Sequence, residues 1–197
     1  MNLRHCYAGI GLITVILTHA SLSSAQQFRY GWTISRSISD PFVNTGSPTG
    51  GVESFYLWYQ CSVGVGMAAA DFSLIGSLAA GGNVLSFNTL NNYLNAGTAT
   101  SPLLVIFGCP TGPVVAGSWL ILHATVGDLC LGPGQAYPTP VTVDCSLNPS
   151  VHPMDYIGYS DTALGPPCTH FEAGNQLCQT PVSIEATSWG SIKRLYR

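Results

Sequence analysis

Histidine, serine and acidic side chains after residue 25 are the groups in this 197-residue chain that could carry out hydrolysis or hold a metal ion. His152 and His170 lie in predicted loops near acidic residues, a combination that could bind Ca²⁺ or Zn²⁺. Their spacing matches no known ligand loop, so we predict no metal site and no cofactor. Ser160 does not lie in a G-x-S-x-G turn, because Asp161 and Thr162 follow it where that turn needs glycine.

The acidic residues form no recognisable catalytic set. Glycoside hydrolysis needs two carboxylates facing each other across a cleft, and the nine acids of this chain are scattered singly. His123 lies in an apolar run, where a histidine is more often structural than a base. We therefore predict a non-enzyme with no catalytic residues. A small hydrolase would be the alternative if His152 or His170 lay within about 3 Å of a carboxylate or serine in a cleft.

Two aromatic residues and an amide fall on one face of a predicted strand, residues 55–63. Tyr56, Trp58 and Gln60 alternate there with apolar residues. Aromatic rings on an open face could stack on sugar rings, with Gln60 bonding hydroxyl groups. The other interpretation is that a second sheet or a loop covers this face, as is usual for large aromatic residues.

Six cysteines follow residue 25, and an even number in an exported chain predicts disulfide bonds. No C-x₂-C spacing occurs, which argues against a zinc site. We favour a sequential pairing: Cys61–Cys109, Cys130–Cys145 and Cys168–Cys178.

The first 25 residues have the pattern of a secretory signal peptide. Residues 8–17 are a run of ten apolar residues, too short to span a bilayer. Ser23 and Ala25 place small residues before a cleavage site between Ala25 and Gln26. We predict export, with residues 26–186 forming one domain and no transmembrane span in the mature chain.

The last 11 residues, 187–197, form a basic amphipathic tail. Ser188 can cap a short helix, whose apolar stripe would be Trp189, Ile192, Leu195 and Tyr196. Residues 26–186 carry two basic and nine acidic groups, a net charge of −7, whereas the tail carries three basic groups (Lys193, Arg194 and Arg197), a net charge of +3. So short a helix is unstable alone. To be stable, the helix must dock its apolar stripe on its own domain or on another surface: a sorting receptor, an anionic membrane or a partner subunit.

Composition excludes several classes of protein. Charged residues make up 8% of the chain, against about 25% in ordinary soluble domains, while 46% of the residues are hydrophobic. Disordered chains have low hydrophobicity and high charge, so this composition excludes a disordered protein. Six basic residues are too few for ordinary nucleic-acid binding.

Alternating apolar residues and frequent glycine or proline turns predict that β-strands position the candidate histidine, acidic, aromatic and cysteine side chains. The segments around residues 55–63, 70–74, 141–145 and 182–185 alternate, and turn residues separate them. Leu103–Phe107 and Trp119–Val126 are almost continuously apolar, which predicts central strands covered on both faces. We therefore predict a single all-β domain, an antiparallel β-sandwich, flanked by a signal helix and a short C-terminal helix.

Several segments resemble a group of uncharacterised exported bacterial proteins. They are Tyr56–Cys61, Gly66–Phe72, Leu94–Gly97, Gly108–Pro110 and the closing Trp189–Arg197. That group shares a signal peptide, one cysteine-bearing β domain and a W-G-x-[IL]-K-x-x-[YF]-R ending, and the resemblance covers most of residues 54–197. The small residues before Asp71 and Phe72 also resemble the early strands of cohesin-like or immunoglobulin-like sandwiches. These resemblances imply a fold and export but no reaction.

The sequence thus predicts an exported, non-catalytic β-sandwich protein with a structural, adhesive or protein-binding role at or beyond the cell envelope. Its C-terminal tail is a candidate sorting or docking signal. The alternative is a carbohydrate-binding module that uses the aromatic strand face. The predicted partner is a protein or a glycan, and not a nucleic acid.

Overall fold

The computed structural model describes residues 30–61 and 65–171, and within these the side chains of residues 31–60 and 65–171. The predicted signal peptide, the Ala25–Gln26 cleavage site and the C-terminal tail lie outside the described residues. The described part contains no helix that is long and apolar enough to cross a membrane.

Thirteen strands and one short 3₁₀ helix (Thr162–Leu164) make up the regular structure of the described residues, so the all-β prediction is confirmed there. The strands are β1 Tyr30–Ser35, β2 Thr45–Gly46, β3 Gly51–Cys61, β4 Met67–Ile75, β5 Val84–Thr89, β6 Leu94–Asn95, β7 Leu103–Ile106, β8 Val114–His123, β9 Asp128–Gly132, β10 Val141–Asp144, β11 Val151–Ile157, β12 Tyr159–Asp161 and β13 Thr169–His170.

The strands are hydrogen-bonded in the order β2-β12-β9-β4-β10-β11-β1-β3-β8-β5, with β13 beside β11 and β7 between β4 and β6. Most ladders are antiparallel, as expected for a sandwich. Two are parallel, β1 with β11 and β2 with β12, so the prediction of a purely antiparallel sheet is wrong at these two places.

Aromatic side chains fill the core and show how the sheet folds back on itself. The rings of Phe55 on β3 and Tyr159 on β12 are 4.8 Å apart between centroids. Phe72 on β4 lies 6.3 Å from Trp32 on β1 and 6.4 Å from Trp119 on β8. These contacts join strands that are distant in the order of the sheet, so β1, β3 and β8 face β4 and β12 across one core. Such pairs each contribute about 0.5–1.5 kcal/mol beyond the area they bury.

The two continuously apolar segments are not covered on both faces, which corrects the prediction of central strands. In β8, Trp119 and Ile121 are fully buried, but Leu120 and Leu122, which alternate with them, are 37% and 40% exposed. In β7, Ile106 is likewise exposed. Periodicity could not show this, because leucine and isoleucine stand at outward positions where most half-exposed strands have polar residues.

Two disulfides join the described strands and turns: Cys109–Cys145 and Cys130–Cys168, with Cα–Cα distances of 5.8 and 6.0 Å. The favoured sequential pairing is therefore wrong for all four of these cysteines. The physical reason is the topology. Cys145 follows β10, which pairs with β4, and Met67, the first residue of β4, donates its N–H to the carbonyl of Pro110, next to Cys109. Cys178 lies outside the described residues.

Candidate functional site

Half of the charged side chains of the described residues are buried. Of the eight Arg, Asp and Glu residues there, Asp40 is exposed, and Arg36, Glu53 and Asp128 are partly exposed. The remaining acids include four that are at most 7% exposed: Asp71, Asp144, Asp155 and Asp161. The surface of the described residues therefore carries even less charge than the 8% of charged residues in the sequence suggests.

A chain of buried polar groups centres on His123, which is fully buried at the end of β8. Its Nδ1 lies 2.8 Å from Glu53 Oε2 on β3, and its Nε2 lies 2.9 Å from Asp161 Oδ2 on β12. The other Glu53 oxygen accepts a hydrogen bond from Arg36 Nε. Tyr159 donates its hydroxyl proton to Asp161 Oδ1 at 2.8 Å. We call these five residues the histidine network.

The network ties the two layers of the sandwich together through charge-assisted hydrogen bonds. Burial alone would raise the pKa of Asp161, but hydrogen bonds from His123, the Gly127 N–H and Tyr159 outweigh it and hold that pKa below its ordinary value. Burial and the hydrogen bond to Asp161 raise the pKa of the Tyr159 hydroxyl well above its ordinary value. Both residues therefore keep the charge states that the network needs near neutral pH.

Gly46 on β2 makes room for this packing. A Cβ atom added there would lie 2.0 Å from Arg36 Nη1 and 2.6 Å from the Tyr159 hydroxyl oxygen. Both nitrogens of the His123 ring face carboxylates, and among the described residues no serine, threonine or cysteine side chain is hydrogen-bonded to that ring. The histidine network therefore lacks the nucleophile–base contact of acyl-transfer enzymes.

A second cluster surrounds Asp144 at the end of β10. His152 Nε2 lies 2.9 Å from Asp144 Oδ2, while Oδ1 accepts hydrogen bonds from the Ser146 hydroxyl and from the N–H groups of Ser146 and Ser150. The distance condition set above for a hydrolase is thus met at His152. However, the carboxylate stands between the histidine and the serine, so the histidine does not contact the hydroxyl that it would have to activate.

The electrostatics of this cluster favour a structural role. The hydrogen bonds from His152 and then from Ser146 hold the pKa of Asp144 far below its ordinary value. A carboxylate that binds a proton so weakly is a poor general base near neutral pH. Asp144 instead fixes the turn of residues 145–150, next to the Cys109–Cys145 disulfide.

The carboxylates of Asp144 and Asp161 predict that the protein loses stability in acid. Asp144 and Asp161 both have a lower pKa in the folded chain than the reference value of 3.8, so their contribution to stability is complete above that value and is lost as the pH falls through the folded pKa. We expect the urea midpoint to fall progressively below about pH 4. Asp144→Asn should weaken this dependence; an unchanged pH profile in that variant would contradict the assignment.

His170 lies on β13 and stacks on Tyr156 of β11 at a centroid distance of 5.9 Å. Within residues 30–61 and 65–171, no group of three or more histidine, cysteine or acidic side chains is placed to hold a metal ion. His170 and His152 also lie on different strands, β13 and β11.

The proposed sugar platform lies on the outward side of β3. Trp58 is half-buried and donates its indole N–H to the Ser37 carbonyl at 3.0 Å. Tyr56 is also half-buried, and Gln60 is buried with its Nε2 3.5 Å from Thr33 Oγ1. The polar groups of Trp58 and Gln60 are thus directed at the protein itself. Carbohydrate binding at these residues stays a prediction.

Farther along the same sheet, four apolar side chains are exposed on the adjacent strands β3, β8 and β5. Val52 is 53%, Leu85 54%, Leu120 37% and Leu122 40% exposed. Val52 is opposite Leu122, and Leu120 stands between Ser54 on β3 and Ser86 on β5. We call Val52, Leu85, Leu120 and Leu122 the outer apolar face.

No charge lies among the outward residues of these three strands. Glu53 and His123 are the acidic and basic residues in β3, β5 and β8, and their side chains point inward and contact each other. Exposed apolar patches of this kind mark interaction surfaces more often than scattered single residues do. The sequence does not reveal this face, because the continuously apolar run Trp119–Val126 predicts a strand that is buried on both sides.

No protein-family model and no curated protein matches the chain. Among solved structures, the chain is similar to the sixth cohesin of scaffoldin B from Acetivibrio cellulolyticus, solved in complex with a Cel5 dockerin mutant. That match has 13% identity and a TM-score of 0.45, and it covers 68% of this chain and 96% of the cohesin. The seventh ScaB type I cohesin from Pseudobacteroides cellulosolvens is similar at 10% identity and a TM-score of 0.46, covering 76% of this chain and 99% of that one.

Proposed function

We propose that this chain is an exported, non-catalytic β-sandwich protein that binds another protein at or beyond the cell envelope. The observation that carries the proposal is the outer apolar face, an uncharged surface of four exposed aliphatic side chains on three adjacent strands. The two disulfides support export, because such bonds persist in oxidising compartments outside the cytosol.

The chemistry of the face defines the partner. A surface without charge gains its binding energy from burying apolar area, so the partner should present a complementary apolar surface. Such an interaction should also be insensitive to salt, since screening acts on charges. Rigid strands carry the face, so little ordering is needed on binding.

The C-terminal tail has the opposite chemistry and is proposed as a separate sorting or docking signal. Its three basic residues, Lys193, Arg194 and Arg197, would make its interactions salt-sensitive. Fusing residues 187–197 to an unrelated exported reporter tests this role, and unchanged localisation of the reporter would end it.

Leu120→Lys is expected to weaken binding of the mature protein to the envelope fraction of the producing cells by at least about tenfold, which corresponds to about 1.4 kcal/mol. A lysine there places a desolvated charge at the centre of the apolar contact. The matched control is Leu147→Lys, since Leu147 is fully exposed and lies in the turn after β10. Equal binding of the two variants would contradict the proposal.

A further inference from the structure

Strand β5 forms a long open edge of the sheet. Among the described strands it pairs with β8 alone, so one of its two edges has no neighbouring strand. The strands at the other ends of the ladders, β2, β6 and β13, have two residues each, whereas β5 has six. Proteins ordinarily keep open edges short or block them with charged residues or proline, because an open edge pairs with another strand. We propose that a second copy of this chain pairs with β5, edge to edge and antiparallel.

The open edge of β5 presents backbone groups for this pairing. Leu90, which follows β5, donates its N–H to the Ala116 carbonyl of β8 at 3.1 Å. Successive residues of an antiparallel strand direct their backbone groups to opposite sides. Asn88 therefore faces β8, as Leu90 does. The N–H and carbonyl groups of Phe87 and Thr89 point away from β8, where no described strand lies beside them.

The edge is already held in the conformation that pairing needs. The ring of Phe87 packs on Trp119 of β8, with a distance of 4.9 Å between the ring centroids. Ser86–Thr89 is paired with β8 without interruption, and the irregularity of this ladder lies before it, between Val84 and Ser86. A preformed strand loses little conformational freedom when another strand binds.

The absence of charge around β5 favours a second copy as its partner. Residues 72–127, which include β5 and β8, contain no Lys, Arg, Asp or Glu. Like charges on identical chains normally oppose their association, and that repulsion is absent here. A charged peptide would likewise find nothing of opposite charge on this strand. An antiparallel edge also complements itself, because a twofold axis places each N–H of one copy opposite a carbonyl of the other.

A twofold axis at Phe87 defines such a pair. Phe87 then lies opposite Phe87 of the second copy, and Asn88 lies opposite Ser86. The sheet continues through β5 into the second copy, which leaves both outer apolar faces uncovered. The dimer therefore does not depend on the proposed function. Leu120→Lys should weaken binding to the envelope fraction and leave the dimer unchanged, so that the two proposals can fail separately.

Thr89→Pro tests the pairing by removing one edge donor. The N–H of residue 89 points away from β8, so proline there leaves the bonds between β5 and β8 in place. In analytical ultracentrifugation we expect the mature wild-type protein to dimerise as its concentration rises. Thr89→Pro should raise the dissociation constant of the dimer by at least about tenfold.

The matched control is Thr89→Ala, which also loses the hydroxyl bond to the Tyr93 carbonyl but keeps the N–H. It should dimerise as the wild type does. A wild-type protein that stays monomeric at all concentrations, or a dimer that Thr89→Pro does not weaken, would overturn the proposal.

A charge exchange at Asn88 tests the same edge without proline. Asn88 is exposed, and the two copies of this residue would be diagonal neighbours about 7–8 Å apart. Asn88→Lys and Asn88→Asp should each dimerise less than the wild type, because like charges meet. An equimolar mixture should regain the dimer, whereas the same exchange at the exposed Asn148 should have no effect. A mixture that dimerises no better than either variant alone would overturn pairing through β5.

Discussion

Replacing His123 by alanine is expected to lower the free energy of unfolding by about 3–5 kcal/mol, because the change leaves buried carboxylates without their partner. Glu53 and Asp161 lie 2.8 and 2.9 Å from the two ring nitrogens, and Asp161 is 1% exposed. Water cannot easily replace the ring at that depth without opening the contact between β3, β8 and β12. Urea unfolding of the mature protein, followed by tryptophan fluorescence and circular dichroism, measures the change.

Asp40→Asn is the control for the loss of His123. Asp40 is exposed, and its carboxylate accepts a hydrogen bond from the nearby N–H of Phe42. Its replacement should change the free energy of unfolding by less than about 0.5 kcal/mol. A loss of under about 1 kcal/mol for His123→Ala would show that the histidine network does not hold the layers together.

Removing the Cys109–Cys145 disulfide is expected to cost about 4 kcal/mol. The two cysteines are 36 positions apart, and the loop-entropy relation gives about that value for a loop of this length. The double variant Cys109→Ser/Cys145→Ser removes the constraint without leaving an unpaired thiol. Urea unfolding under non-reducing conditions measures the cost.

The control for this prediction is the same double variant examined with reductant present. Once the wild-type disulfides are reduced, the difference between wild type and variant should largely disappear. A variant as stable as wild type under non-reducing conditions would contradict a stabilising Cys109–Cys145 bond.

Strand character was predictable from the sequence because the side chains of several segments alternate strictly. In β3, Phe55, Leu57 and Tyr59 are fully buried while Tyr56 and Trp58 are half-exposed, as the alternation predicted. In β8 the outward residues are leucines, so the pattern indicated two covered faces. Leu120 and Leu122 are exposed because of the order of the strands in the sheet. That order cannot be deduced from the local alternation of side chains.

The partners of the buried charges were not predictable, since they come from distant parts of the chain. Glu53 and His123 are 70 positions apart, and His123 and Asp161 are 38 apart. Because the acidic residues are scattered singly along the sequence, no catalytic pair of carboxylates and no partner for a buried charge could be chosen from it. The disulfide pairing failed for the same reason, because strands that are close in the sandwich are not consecutive in sequence.

Site-specific photocrosslinking from the outer apolar face tests the central claim most directly. A photoreactive amino acid is placed at position 120 of the full-length protein in the producing cells, and at position 147 as a control of greater exposure. Protein binding through this face predicts one discrete crosslinked product from position 120, retained at high salt and absent from position 147. No product from position 120, or the same products from both positions, would contradict it.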